Sequence, residues 1–142
     1  MRIEEERVID PNVWYYDIWN LLKENVYPTN ADKATRVALR RLASHFIICA
    51  NQLYRRHHDG VHLQCLDEAQ AQRVMEKIHG GECGPHMSGH TLARKIIRQG
   101  YYWLIMQKDC FEYVWGCHQC QIYAKAQKLP PKELFPMKLK IR

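Results

Sequence analysis

No run of this sequence approaches the ~18 consecutive apolar residues that a membrane-spanning helix needs, so no bilayer span is expected in its 142 residues. Phenylalanine is scarce, at three residues, and the apolar load rests on four Trp, eight Tyr and the aliphatics that bring hydrophobic content to 46%. With 25% charged residues, that is an ordinary globular composition and excludes a solvated, disordered chain. Internal repeats and low-complexity tracts are missing, which excludes a solenoid or fibrous architecture. The start, Met1-Arg-Ile-Glu-Glu-Glu-Arg7, is acidic and has no apolar stretch behind a basic cluster, so no secretory signal is expected. The six cysteines then belong in a reducing, intracellular compartment as metal ligands or free thiols. A chain of this length buries roughly two-thirds of its unfolded surface, as one compact unit or two small ones.

Acidic residues are also scarce where they would balance the body of the chain. The first thirty residues carry three Lys/Arg against six Asp/Glu, whereas residues 31–142 carry eighteen against nine. The net charge of +6 is therefore an acidic leader on a basic body, which points to a polyanionic partner or to a basic face that is merely solvated. Gln121 to Arg142 holds six Lys/Arg and one acid, with Pro130, Pro131 and Pro136 breaking any helix. It reads as an extended basic linker.

Hydrophobic spacing gives an α+β reading. Residues 1–12 lack periodicity. Asp10-Pro11-Asn12 suits a helix start at Val13, with Trp14, Ile18, Leu21 and Leu22 recurring until Tyr27-Pro28 stops it. A second helix is predicted from Asp32 to about His45, burying Ala34, Val37, Ala38 and Leu42 and leaving Lys33, Arg36, Arg40 and Arg41 outside. From Phe46 the pattern turns to β: Phe46–Cys49, Leu53–Arg56 and Val61–Leu66, with turns near Ala50-Asn51 and at Asp59-Gly60. A three-stranded antiparallel meander is the simplest arrangement. Asp67 can cap a helix through Ile78, whose stripe of Ala71, Val74 and Ile78 delivers His79 at its end. Helices are further predicted over Thr91–Gln99 and about Met106–Trp115, with Tyr101-Tyr102-Trp103 packing the connector in a helix-turn-helix-like arrangement.

The chemistry lies in His79, His86, Cys117 and Cys120, spaced H-x6-H-x30-C-x2-C. The two-residue gap lets one tight turn aim both sulfurs at one point. The loop Gly80 to Pro85 holds three glycines and a proline and can fold His86 back beside His79. Zinc accepts imidazole nitrogen and thiolate sulfur tetrahedrally, and a His₂Cys₂ set that fills all four positions leaves none for a substrate water. Such a site is structural. His90 rivals His86 as the second histidine. His118 sits inside the knuckle, where its ring points away, and Cys83 and Cys110 are read as packing residues. The ligand order reverses that of the common DNA-reading finger, so a finger of that kind is not expected.

The succession His79, Gly84-Pro85-His86, Leu92-Ala93-Arg94-Lys95-Ile96, Tyr102-Trp103, Asp109-Cys110, Cys117-His-Gln-Cys120 resembles the HHCC zinc-binding N-terminal domain of retroelement integrases, most closely those of plant gypsy-class LTR retrotransposons. The resemblance extends upstream through Trp14–Trp19, Leu39–Leu42 and Leu53–Arg56, which look like the family's N-terminal extension. Downstream, Pro130–Leu134 is similar to the linker before the catalytic core. It implies an acidic leader over 1–12, an extension domain over 13–66, a zinc domain over 67–124 and a basic linker over 125–142. It also implies His79, His86, Cys117 and Cys120 as ligands of one structural Zn²⁺.

By the same resemblance the chain is a binding module without the RNase H-like core, so no catalysis is expected. Its implied partners are DNA and other integrase subunits or the core, with neither a membrane nor a small-molecule substrate, and its implied place of action on DNA is the nucleus. Arg94, Lys95, Arg98, Lys125 and Lys128 are the candidates for neutralising phosphates without base reading. The alternative is a co-opted host protein or pol fragment that uses the same zinc domain for protein contact. A zinc enzyme, which needs an open coordination position, does not fit four filled ones.

Overall fold

A computed structural model of the chain describes residues 6–81, 87–117 and 120–122. Its architecture is α+β, with helices leading into a four-stranded sheet and a helical C-terminal region. The chain forms two compact units, one from Met1–Ala71 with Ile97–Leu104, the other from Gln72–Ile96 with Ile105–Arg142. Among the described residues no helix is long and apolar enough to cross a membrane.

In the first unit, helix α1 spans Tyr16–Glu24. It starts three residues later than the spacing predicts because turns bond Val13 N–H to Asp10 and Tyr16 N–H to Val13, each at 3.0 Å. It ends before Tyr27-Pro28 because Asn25 adopts a left-handed conformation, φ 59°, that returns its N–H to the last turn. Helix α2 spans Lys33–Ala43, and Asp32 is its cap, accepting Thr35 N–H at 2.8 Å. Its buried face differs from the expected one. Ala34 and Ala38 are exposed, Val37 and Leu42 are half-buried, and Ala43 is the buried residue. The helix leans on the core by its C-terminal end, where Leu39 and Leu42 pack on the cluster around Phe46 and Leu53.

Strands β1 (Phe46–Cys49), β2 (Gln52–Arg56) and β3 (His62–Cys65) form the expected antiparallel meander. Ala50 and Asn51 both take positive φ, 50° and 63°, the two-residue turn whose twist matches a hairpin. The sheet is nonetheless mixed, because β4 (Tyr101–Tyr102), expected from sequence to be a connector, pairs parallel to β3 with Gln64 opposite Tyr101. One face of the sheet carries Phe46, Leu53, Leu63 and Cys65, all buried, and the core adds Tyr15, Ile18 and Trp19. Trp14 binds the Leu66 carbonyl through Nε1–H at 2.8 Å. The aperiodic leader also contributes. Ile9 is buried in this cluster, and Arg7 donates to Tyr15 Oη, the Asn51 carbonyl and Gln52 Oε1 at 3.0–3.2 Å.

Helix α3 spans Glu68–Gly81, helix α4 spans Gly89–Arg98 and helix α5 spans Met106–Trp115. The first of these opens with a reciprocal cap in which Gln70 N–H reaches Asp67 Oδ1 at 2.8 Å and Asp67 N–H reaches Gln70 Oε1 at 2.9 Å. Met75 and Ile78 from α3 are buried in the second unit, as are Leu92, Ala93 and Ile96 from α4 and Met106, Cys110 and Val114 from α5. Helix α4 starts two residues earlier than expected, so His90 lies on it, exposed, rather than in a loop. Its first turn is stapled by Ser88 Oγ, which accepts Thr91 N–H at 3.0 Å.

Candidate metal centre

Three of the four expected ligands meet. The donor atoms of His79, Cys117 and Cys120 all lie within 4.8 Å of one another, and this is the metal-capable His/Cys/Asp/Glu group among the described residues. Helix α3 supplies His79 from its last turn, held in place because Met75 and Ile78, on the same helix, are anchored in the core. Helix α5 supplies Cys117 just past its end. Cys117 N–H closes on the Val114 carbonyl at 3.0 Å, and Gln121 then bonds both Cys117 O and Val114 O at 3.1 Å, starting a new turn with Cys120 on it. The C-x2-C pair thereby lies with both sulfurs within 4.8 Å of the His79 donor.

His79 Nε2 lies 3.2 Å from Cys120 Sγ. Zinc bonds of about 2.0–2.1 Å to nitrogen and about 2.3 Å to sulfur at tetrahedral angles put neighbouring ligand atoms roughly 3.5–3.8 Å apart. The cluster is therefore of the right size and donor chemistry for a single structural Zn²⁺ ion. Backbone N–H groups already face the sulfurs: Cys120 N–H points at Cys117 Sγ at 3.5 Å, and the Met87 N–H bonds the Cys120 sulfur. Burial raises the Cys120 thiol above its usual 9.0 while the Met87 N–H opposes it. A bound cation reverses that balance, because zinc binds the thiolate.

Two contributors carry no signal in the sequence. The Tyr113 ring stands edge-on to the His79 ring, centroids 5.3 Å apart, and orients the imidazole. Met87 is buried, and its N–H reaches the sulfur. Tyr113 precedes Cys117 by one helical turn, but nothing in residue type alone marks it.

His86, Lys125 and Lys128 lie outside the described residues, as do Cys83 and His118. His90 is not among the gathered donors. Cys110 is fully buried, with burial pushing its thiol up to about 12, the environment of a packing residue. Arg94 and Arg98 are exposed one turn apart on α4, and Lys95 is half-buried.

Residues 66–126 match the integrase zinc binding domain family. The Gypsy retrotransposon integrase-like protein 1 of Mus musculus is 26% identical over 106 residues, covering 72% of this chain. The chain spans 20% of that relative's length. No solved structure matches. The chain is thus distantly homologous to a retrotransposon integrase-like protein, and its His/Cys cluster falls inside the segment similar to the integrase zinc binding domain.

Proposed function

We propose that this chain is the non-catalytic, HHCC-type zinc module of a retrotransposon integrase of the plant gypsy class, acting in the nucleus to assemble integrase subunits and hold DNA. The observation that carries the reading is the convergence of His79, Cys117 and Cys120 on one point inside the integrase-like segment. His86 supplies the fourth ligand. It adjoins in sequence the buried Met87, whose backbone N–H lowers the pKa of the Cys120 thiol. A His₂Cys₂ set closes the coordination sphere, so the metal organises the fold and performs no hydrolysis.

DNA contact falls to Arg94, Lys95 and Arg98 on α4, with Lys125 and Lys128 beyond it, as phosphate neutralisers that carry no sequence information. Elemental analysis of the purified, reduced chain tests the metal assignment. About one zinc per chain is expected, retained in His90→Ala and lost in His86→Ala. A folded chain without zinc overturns the reading. The second reading, a co-opted host protein that uses this fold for protein contact, is favoured by Phe111 and Trp115, 48% and 64% exposed one turn apart on α5. A zinc-loaded chain that binds no DNA at ~50 mM salt selects it.

A further inference from the structure

Helix α2 carries Lys33, Arg36, Arg40 and Arg41, all exposed, and no acidic residue. The capping carboxylate of Asp32 is engaged with Thr35 N–H at 2.8 Å. Among the described residues the ion pair is Lys108–Glu112 on α5, so no described carboxylate pairs with the α2 cations. Helix-dipole stabilisation accounts for Arg40 and Arg41 in the last turn, but it disfavours Lys33 in the first. The feature that separates this face from a solvated one is Tyr27. The Arg36 guanidinium lies over its ring, 5.3 Å from the centroid, and Arg40 Nη1 donates to its hydroxyl at 2.9 Å. One half-buried tyrosine therefore fixes two guanidinium groups that would otherwise lose rotamer freedom on binding.

We propose that Arg36 and Arg40, seated on Tyr27 and flanked by Lys33, grip the phosphate backbone of a nucleic acid through the first unit. The two arginines start about 6 Å apart along the helix axis and present fork-shaped donors suited to phosphate oxygens. Between them in sequence the exposed residue is Ala38, which offers no apolar anchor of the kind a protein partner needs at an interface centre. A polyanion requires only the charges. This surface is separate from the α4 residues and extends the nucleic-acid reading to a second contact, and the test distinguishes the two.

The test measures binding of the full zinc-loaded chain to a short fluorescein-labelled duplex of arbitrary sequence, by anisotropy, between ~50 and ~200 mM salt. Arg36→Gln with Arg40→Gln should weaken binding tenfold or more at the low-salt end and reduce the salt slope by about 1.8, the value for two phosphates. Tyr27→Phe keeps every charge and should leave the slope intact while lowering affinity several-fold, a result that charge alone does not produce. Circular dichroism checks that these exposed substitutions leave the fold in place. If the double α2 variant matches the wild type while Arg94→Gln with Arg98→Gln weakens binding, the α2 site is overturned and the α4 reading stands. If only the α2 variant loses affinity, the α2 site stands and the α4 reading falls. A wild-type chain that binds no duplex overturns both.

Discussion

Gly89 lies against the backbone of Phe111: a Cβ added to it would sit 2.6 Å from Phe111 Cα and 2.6 Å from Phe111 Cδ1. The start of α4 and the middle of α5 meet at a separation that only a hydrogen atom fits, and the stationary atom is main chain, which cannot rotate aside. Gly89→Ala should therefore destabilise the second unit by about 1–3 kcal/mol. Gly80, in α3, has nothing within 4 Å of the place a methyl group would occupy, and Gly80→Ala should be neutral or stabilise by up to ~1 kcal/mol. Denaturant midpoints of the two variants decide, and equal effects would contradict the close approach.

Zinc removal should act on one unit. His79, Cys117 and Cys120 belong to the second, whereas the first has its own core from Tyr15, Trp19, Phe46 and Leu53. Hydrogen exchange before and after EDTA should show protection lost around α3 and α5 and kept in β1 and β2. Cys117→Ser should reproduce the loss without chelator, since structural sites of this type contribute about 10–16 kcal/mol of metal binding. Uniform loss of protection would mean a single cooperative domain.

Burial holds the Cys65 and Cys110 thiols at about 12 against an ordinary 9.0. A folded-state value raised in this way gives stability that is complete below 9.0 and lost as pH climbs toward about 12, because the unfolded chain releases the proton first. Stability should fall across that window. Cys65→Ala should lower stability at neutral pH through its cavity, yet flatten the alkaline limb, and urea titrations through the window check both.

Trp14→Phe keeps most of the buried ring but removes the Nε1–H bond to the Leu66 carbonyl. The expected cost is about 1–3 kcal/mol, the scale for leaving a shielded acceptor unsatisfied. A shift in thermal midpoint with zinc content unchanged would assign the loss to the first unit. No shift would show that water replaces the indole.

What can be read from sequence is what is encoded locally. Phe46–Cys49 is legible because its apolar run ends at a turn-forming Ala50-Asn51, and α5 because Met106, Cys110 and Val114 recur at helical spacing. Cys117 and Cys120 are legible because two residues fix the geometry of a turn. The buried side of α2 is not, since alanines at helical spacing look alike whether or not anything covers them, and only the C-terminal end of that helix meets the core. Strand β4 escapes sequence reading because two tyrosines are too short to show a period, and their partner Gln64 lies far away in sequence. The Met87 N–H and the Tyr113 ring cannot be anticipated, because their roles arise from tertiary placement.

That short strand has a consequence for how the protein can be divided. Gln64 N–H and Leu66 N–H are satisfied by Gly100 O and Tyr102 O, at 2.8 and 2.9 Å, acceptors carried by a segment that returns after α3 and α4 and before α5. A fragment ended after Ala71 retains the meander and most of the core yet leaves β3 as a bare edge, with main-chain groups open to any passing strand. Unpaired edges of this kind template aggregation. The Ile97–Leu104 segment thus serves as a built-in stopper, and a gene trimmed near the 66/67 boundary that the resemblance implies yields a self-associating product in place of a tidy miniature domain.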